Sequence, residues 1–127
     1  MGFATEIQPS ADAAIDVRQS VAEHFATSVS KAQLHDLQVV VGELVANSVE
    51  HGPGQPIQIR VDLTEEGTLR GEVEDQGDGL VAMIEMAESF DRGLGLYMVD
   101  ALTDEWAVYE GSTHVWFEIR GVLPPLV

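Results

Sequence analysis

Apolar residues recur at spacings of three and four over Ala14, Val17, Val21 and Phe25. That is one face of an α-helix, and Ser10, just after Pro9, stands where a cap belongs. A short edge strand is expected ahead of it in "FATEIQ". A second, longer helix is predicted from about Ser30 to His51, with Leu34, Leu37, Val41, Leu44 and Ser48 along its buried stripe and the breaker "HGPG" at its end. The period then changes to two. Ile57, Ile59, Val61 and Leu63 alternate with polar residues, "TEEGT" reads as a turn, and Leu69, Gly71, Val73 and Asp75 share one side of "LRGEVED". This is a β-hairpin buried on one face. The Gly-rich "DQGDGL" opens an irregular region that runs to "SFDRGLGL"; helical spacing returns through Leu96, Val99 and Leu102. Two strands, "WAVYE" and "THVWFEI", close the pattern, with Val115, Phe117 and Ile119 pointing inward. Hairpins clustered between helices predict an α+β fold, with the helices layered on one face of a mainly antiparallel sheet. A doubly wound parallel sheet is not expected.

Composition narrows the function. At 127 residues, with 45% hydrophobic composition and a mean hydropathy of +0.04, the chain has the size and make-up of a single domain, residues 1–127. Six Lys+Arg against 22 Asp+Glu leave a net charge of -16, which repels nucleic-acid phosphates and anionic lipid and favours a partner with a basic surface. Direct nucleic-acid or membrane binding is therefore not expected. There is no cysteine, so disulfides and thiolate metal sites are excluded. The N-terminus lacks the basic and apolar regions of a signal peptide, and no apolar run reaches the roughly eighteen residues of a membrane span. A cytoplasmic location is the simplest expectation.

Three stretches carry candidate chemistry. In "GELVANSVEHG" the residues Glu43, Asn47, Glu50 and His51 fall on a polar ridge beside the Leu37, Val41 and Leu44 stripe, because helical positions four apart differ by roughly 40° and seven apart by roughly 20°. A carboxylate and an amide oxygen one turn apart suit a hard cation such as Mg²⁺ that shares phosphate oxygens with a nucleotide. A solvated helix face accounts for the same residues. Asp75 shares a strand face with Leu69 and Val73, so its carboxylate points where apolar groups point and needs a donor. An adenine amino group is one such donor, with Gly77 and Gly79 allowing close approach; backbone amides of a turn are another. In "RGLGL" the glycines precede a helix, whose exposed N–H groups suit phosphate, and Arg92 adds a cation.

Other signatures fit less well. "GLGLYM" lacks the third glycine of a dinucleotide fingerprint, and the P-loop, HRD and DFG patterns are absent. "EDQGDGLVAMIE" resembles a calcium loop with Gly79 sixth and Glu85 twelfth, but Glu74 and Gln76 replace the usual ligands and a strand precedes it instead of a helix. His24, His35, His51 and His114 form no HExxH pair and read as surface or packing residues.

In this order, "ELVANSVEHG", "DQGDG", "RGLGL" and "GSTHVWFEI" resemble the GHKL (Bergerat-fold) ATPases over nearly the whole chain, from about residue 10 to residue 120. Within them the chain looks like the stand-alone anti-sigma-factor serine kinases of bacteria, including short actinobacterial ATP-binding proteins. The resemblance implies a two-layer α/β sandwich with a mainly antiparallel, mixed sheet. It implies ATP and Mg²⁺ as cofactors, with Asn47 holding the metal and Glu43 orienting or deprotonating the attacking hydroxyl. Asp75 would accept from adenine, Gly77 and Gly79 would shape the base pocket, and residues from about Leu80 to Asp91 would form a lid. Gly93 and Gly95 would bring the backbone at Leu94 and Leu96 to the phosphates, with Arg92, His51 and Thr113 beside them.

The same resemblance names partners: a sigma factor, and an anti-anti-sigma (STAS-type) protein whose serine is phosphorylated. Relatives often dimerise, which adds a homodimer, although no stripe in the sequence marks its surface. One departure favours a different reading. Where many relatives carry Lys and Thr before the last strand, this chain has Thr113 and His114. A nucleotide-gated binding module without useful kinase activity is thus the alternative. The catalytic half of a sensor histidine kinase would need a preceding dimerisation helix with a phosphoacceptor His, and none is expected.

Overall fold

The computed structural model describes residues 2–51, 54–75, 95–108 and 114–121. Along the chain these form β1 (Gly2–Ile7), α1 (Ala13–Phe25), α2 (Lys31–His51), β2 (Ile57–Leu63), β3 (Leu69–Glu74), α3 (Gly95–Leu102), β4 (Glu105–Val108) and β5 (Val115–Ile119). The strands make a five-stranded sheet in the order β1-β2-β3-β5-β4. Every pairing is antiparallel among the described residues. The period-two segments explain the layering. Ile57, Ile59, Val61, Leu69, Val73, Val115, Phe117 and Ile119 all point to one side, where they meet Val17, Val21 and Phe25 of α1, Leu37, Val41 and Leu44 of α2, and Val99 of α3. Helices and sheet thus form two layers around one core, the expected α+β sandwich. No helix among the described residues is long and apolar enough to cross a membrane.

At the middle of the sheet the core is shaped by a glycine. Gly71 pairs with Phe117 across β3 and β5. A Cβ added at Gly71 would overlap the Phe117 ring, so the missing side chain is what gives that buried ring its place. The turn "TEEGT" closes with the Gly67 N–H donating to the Thr64 carbonyl at 3.0 Å, and Gly67 takes φ 84°, a conformation that favours glycine.

Some expectations need correction. Ser10 does not cap α1 with its side chain: the N-cap is Asp12, without a side-chain bond, and the Ser10 carbonyl accepts from Ala13 N–H at 3.2 Å. The shift places Ala13, not Ala14, fully in the core. Ser30 does cap α2, its hydroxyl accepting from Gln33 N–H at 3.1 Å. Along α2, Val40 and Val45 are buried although they lie off the expected stripe, while Leu34 and Ser48 are half-buried. The reason is that α2 touches the sheet below, α1 on one flank and α3 on the other, which widens its buried arc.

Two polar ties fix the ends of these elements. Buried Gln33 donates from Nε2 to the carbonyls of Gly67 and Ile119, at 2.8 and 3.3 Å, joining the start of α2 to the hairpin turn and the end of β5. The Thr103 hydroxyl donates back to the Val99 carbonyl at 2.7 Å, and Asp104 N–H donates to the Glu118 carbonyl at 2.9 Å, which turns the chain out of α3 into β4.

Candidate functional site

Glu43 and Asn47 lie one turn apart on α2, both half-buried, with Glu50 exposed beyond them. Of the ridge read from helical spacing, Glu43, Asn47 and Glu50 are described, and the His51 side chain is not. Its most informative atom is Asn47 Nδ2, which is fully buried and has no hydrogen-bond partner among the described residues. Such a group ordinarily finds a partner, because leaving it unmade costs about 1–3 kcal/mol. The two ends of a side-chain amide are nearly isosteric, so a half-turn presents either a donor or a carbonyl oxygen from the same place.

The neighbours of α2 are the other elements expected around a ligand. α2 packs against β3 and against α3. Asp75 directly follows β3 and is buried at 4% exposure, among the few polar residues in the interior. It is not left without an interaction. On the other flank, α3 begins at Gly95, as a helix start in "RGLGL" requires, and Leu96 lies in its first turn. The strand before Asp75, Leu69–Glu74, disposes of the calcium-loop alternative, which needs a helix there.

Gly77, Gly79, Arg92, Gly93, Leu94 and Thr113 lie outside the described residues, as do the lid expected near residues 80–91 and the side chains of His51 and Leu96. Among the described residues no group of three or more His, Asp or Glu could hold a metal on its own. The residues here that could hold a metal are the Asn47 amide and the Glu43 carboxylate one turn away, an oxygen set that would suit an ion such as Mg²⁺ only if waters and phosphate oxygens completed it.

Three of the histidines have other work. His24 packs its ring against Phe3 and Phe25, at centroid distances of 5.4 and 4.7 Å. His35 is exposed, 3.8 Å from Asp36. His114, just before β5, has its Nε2 3.2 Å from Glu72 Oε2 of β3.

One side chain escaped the sequence reading. Arg18 of α1 lies over Gly42 of α2, the residue before Glu43, in the space a Cβ would fill; its Nε is buried with no partner among the described residues. The available signal was Gly42 itself, since a glycine inside a helical pattern often marks close approach.

The sequence model of the histidine kinase-like ATPase domain matches residues 7–119. No curated protein matches the chain. Among solved structures, the chain is similar to that of the RsbU and RsbW domains of Rv1364c from Mycobacterium tuberculosis, with 22% identity and a TM-score of 0.71. The likeness covers 95% of this chain and 32% of that one, and it establishes a shared fold.

Proposed function

The chain belongs to the family of histidine kinase-like ATPase domains, and on that premise we propose that it is an ATP-dependent anti-sigma factor that phosphorylates a serine of an anti-anti-sigma partner. ATP would lie between α2, β3 and α3, and the protein would exchange that partner for a sigma factor. The observation that carries the reading is the buried, unsatisfied amide of Asn47, placed on the helix that touches both β3 and α3. An unmade polar group of this kind is one that a bound ligand can complete.

Phosphoryl transfer asks a protein for positioning and charge neutralisation more than for covalent chemistry. Asn47 would hold Mg²⁺, which when bound neutralises charge on the phosphate oxygens. Asp75 would accept from the adenine amino group, its burial making that bond selective against bases lacking a donor there. Backbone N–H groups at Gly93 and Gly95, with Arg92, would cradle the phosphates. Glu43 would orient the serine hydroxyl and take its proton as the Oγ–phosphorus bond forms and the bond to the β-phosphate oxygen breaks, releasing ADP. Mixing the protein with Mg-ATP and its cognate anti-anti-sigma protein is expected to yield phosphoserine, and Glu43→Ala to slow transfer by about 10²-fold or more. An undiminished rate in that variant would remove Glu43 as the base.

One observation favours a second reading. His114 stands where relatives carry Thr and is engaged with Glu72 across the sheet. On this reading it would not supply the phosphate contact of that strand. A binding module gated by nucleotide, without transfer, would show nucleotide-dependent partner binding and no phosphoserine.

A further inference from the structure

Arg18, Arg60, Arg70 and Arg120 are the arginines among the described residues. Three of them answer to a glutamate on the sheet: Arg60 Nη2 lies 3.0 Å from Glu72 Oε2, Arg70 Nε 3.1 Å from Glu118 Oε1, and Arg120 Nη2 3.5 Å from Glu105 Oε1. Arg18 does not. In a chain with 22 Asp+Glu, it pairs with no carboxylate among the described residues.

Its placement follows from the helix that carries it. Val17 and Val21 turn one side of α1 into the core, and Arg18, about 100° further round, is carried onto α2. Gln38 Nε2 of α2 donates to the Arg18 carbonyl at 3.2 Å, which ties the backbone there. One turn later on α2 stands Gly42, and the guanidinium occupies the space a side chain would take: a Cβ there would overlap Nε and come within 2.8 Å of Cζ and Nη2. Nε is shut off from water on that side, without an acceptor among the described residues, while the residue as a whole is half-buried. Such an arginine has given up side-chain freedom and part of its hydration before a ligand arrives. Those are two of the costs that association otherwise has to meet.

The missing acceptor is an oxyanion, since a guanidinium has donors and no acceptor. Two sources offer one, a nucleotide phosphate and a carboxylate of a protein. The helix layer favours the protein. ATP on the reading above lies between α2, β3 and α3, whereas α1 packs on the other flank of α2. Three residues before Arg18 on α1, and so on the same side of that helix, Ile15 is 59% exposed. An exposed apolar side chain beside a pre-set arginine is the make-up of an interface anchor. Asp12, Asp16 and Glu23 are exposed along the same segment, so a complementary surface is basic apart from one carboxylate opposite Arg18.

We propose that Arg18 anchors an acidic side chain of the protein whose serine is phosphorylated, and that this carboxylate sets where the serine meets Glu43. The proposal rests on the kinase reading above. Gly42 and Glu43 are consecutive, with Cα atoms about 3.8 Å apart, so a group held at Arg18 stands beside one held at Glu43. Arg18 is then a residue of acceptor specificity, and Gly42 is the floor that keeps it in place.

Calorimetry of the full chain tests this, with the cognate anti-anti-sigma protein and Mg-ATP titrated separately into wild type, Arg18→Glu and Gly42→Ala. Arg18→Glu is expected to weaken binding of the anti-anti-sigma protein at least about 10-fold. Gly42→Ala leaves the net charge unchanged but displaces the guanidinium, and should weaken the same binding in the same direction; far-UV circular dichroism checks that both variants are folded. Mg-ATP affinity should stay at the wild-type value in both, and in steady-state transfer the loss should fall on KM for the acceptor and not on kcat. Unchanged acceptor binding in both folded variants would overturn the proposal, and so would a matching loss of ATP affinity, which puts Arg18 in the nucleotide site. A wild type that binds Mg-ATP but not the acceptor removes the kinase reading and the anchor together, and that result is seen before any variant is made.

Discussion

Single side chains separate stability from function most cleanly at Asn47. Its buried Nδ2 has no partner among the described residues, so replacing it removes an unsatisfied group from the interior. Asn47→Ala is therefore expected to keep or raise the melting temperature while lowering Mg-nucleotide affinity by at least about 10-fold, a combination read by calorimetry and thermal unfolding. Equal losses in both would mean that Asn47 is only structural. Gly71 makes the opposite case. Its Cβ would overlap the Phe117 ring, so Gly71→Ala should cost about 1–3 kcal/mol in urea unfolding, and shortening the ring in Gly71→Ala/Phe117→Leu should recover part of it. Much of this scale was legible in the sequence. The ridge of Glu43 and Asn47 followed from helical spacing, and the burial of Asp75 from strand alternation. Arg18 was not legible, because its place over Gly42 depends on how α1 crosses α2, and no period within one segment encodes that.

Among the elements, α2 carries the most. It is the helix that touches the sheet, α1 and α3 at once, and it supplies Glu43 and Asn47 to the candidate site. Its start is tied to the sheet by Gln33, whose buried amide donates to the carbonyls of Gly67 in the hairpin turn and Ile119 at the end of β5. Gln33→Ala leaves those carbonyls unpaired and should lower stability by about 1–3 kcal/mol, measured by urea titration. Loss of less than a few tenths of a kcal/mol would show that water replaces the amide. Element type and order were readable because periods of 3.6 and 2 alternate sharply along this chain. Boundaries were less so: α1 starts at Ala13 because Asp12 takes the N-cap position and the Ser10 carbonyl closes the preceding turn, a backbone arrangement that the Ser10 side chain did not announce. The burial of Val40 and Val45 likewise comes from two flanking helices that a one-sided stripe does not foresee.

For the whole molecule, charge decides. A chain at -16 that receives an anionic triphosphate faces long-range repulsion, and only six cationic side chains are available against it. Three of them, Arg60, Arg70 and Arg120, are already paired with glutamates on the sheet. On the proposed reading, binding would rest mainly on backbone amides, Arg92 and a metal held at Asn47. The layered architecture was foreseeable from hairpins clustered between helices, but the insertion of β5 between β3 and β4 was not, since strand order is set by which edges remain to be paired. Whether a nucleotide is held through a metal on α2 can be read by titrating ATP into the protein calorimetrically, with Mg²⁺ in excess and again with Mg²⁺ chelated. Saturable heat with Mg²⁺, falling at least about 10-fold in affinity without it, is the expected result. No heat in either condition, or the same affinity in both, would contradict it.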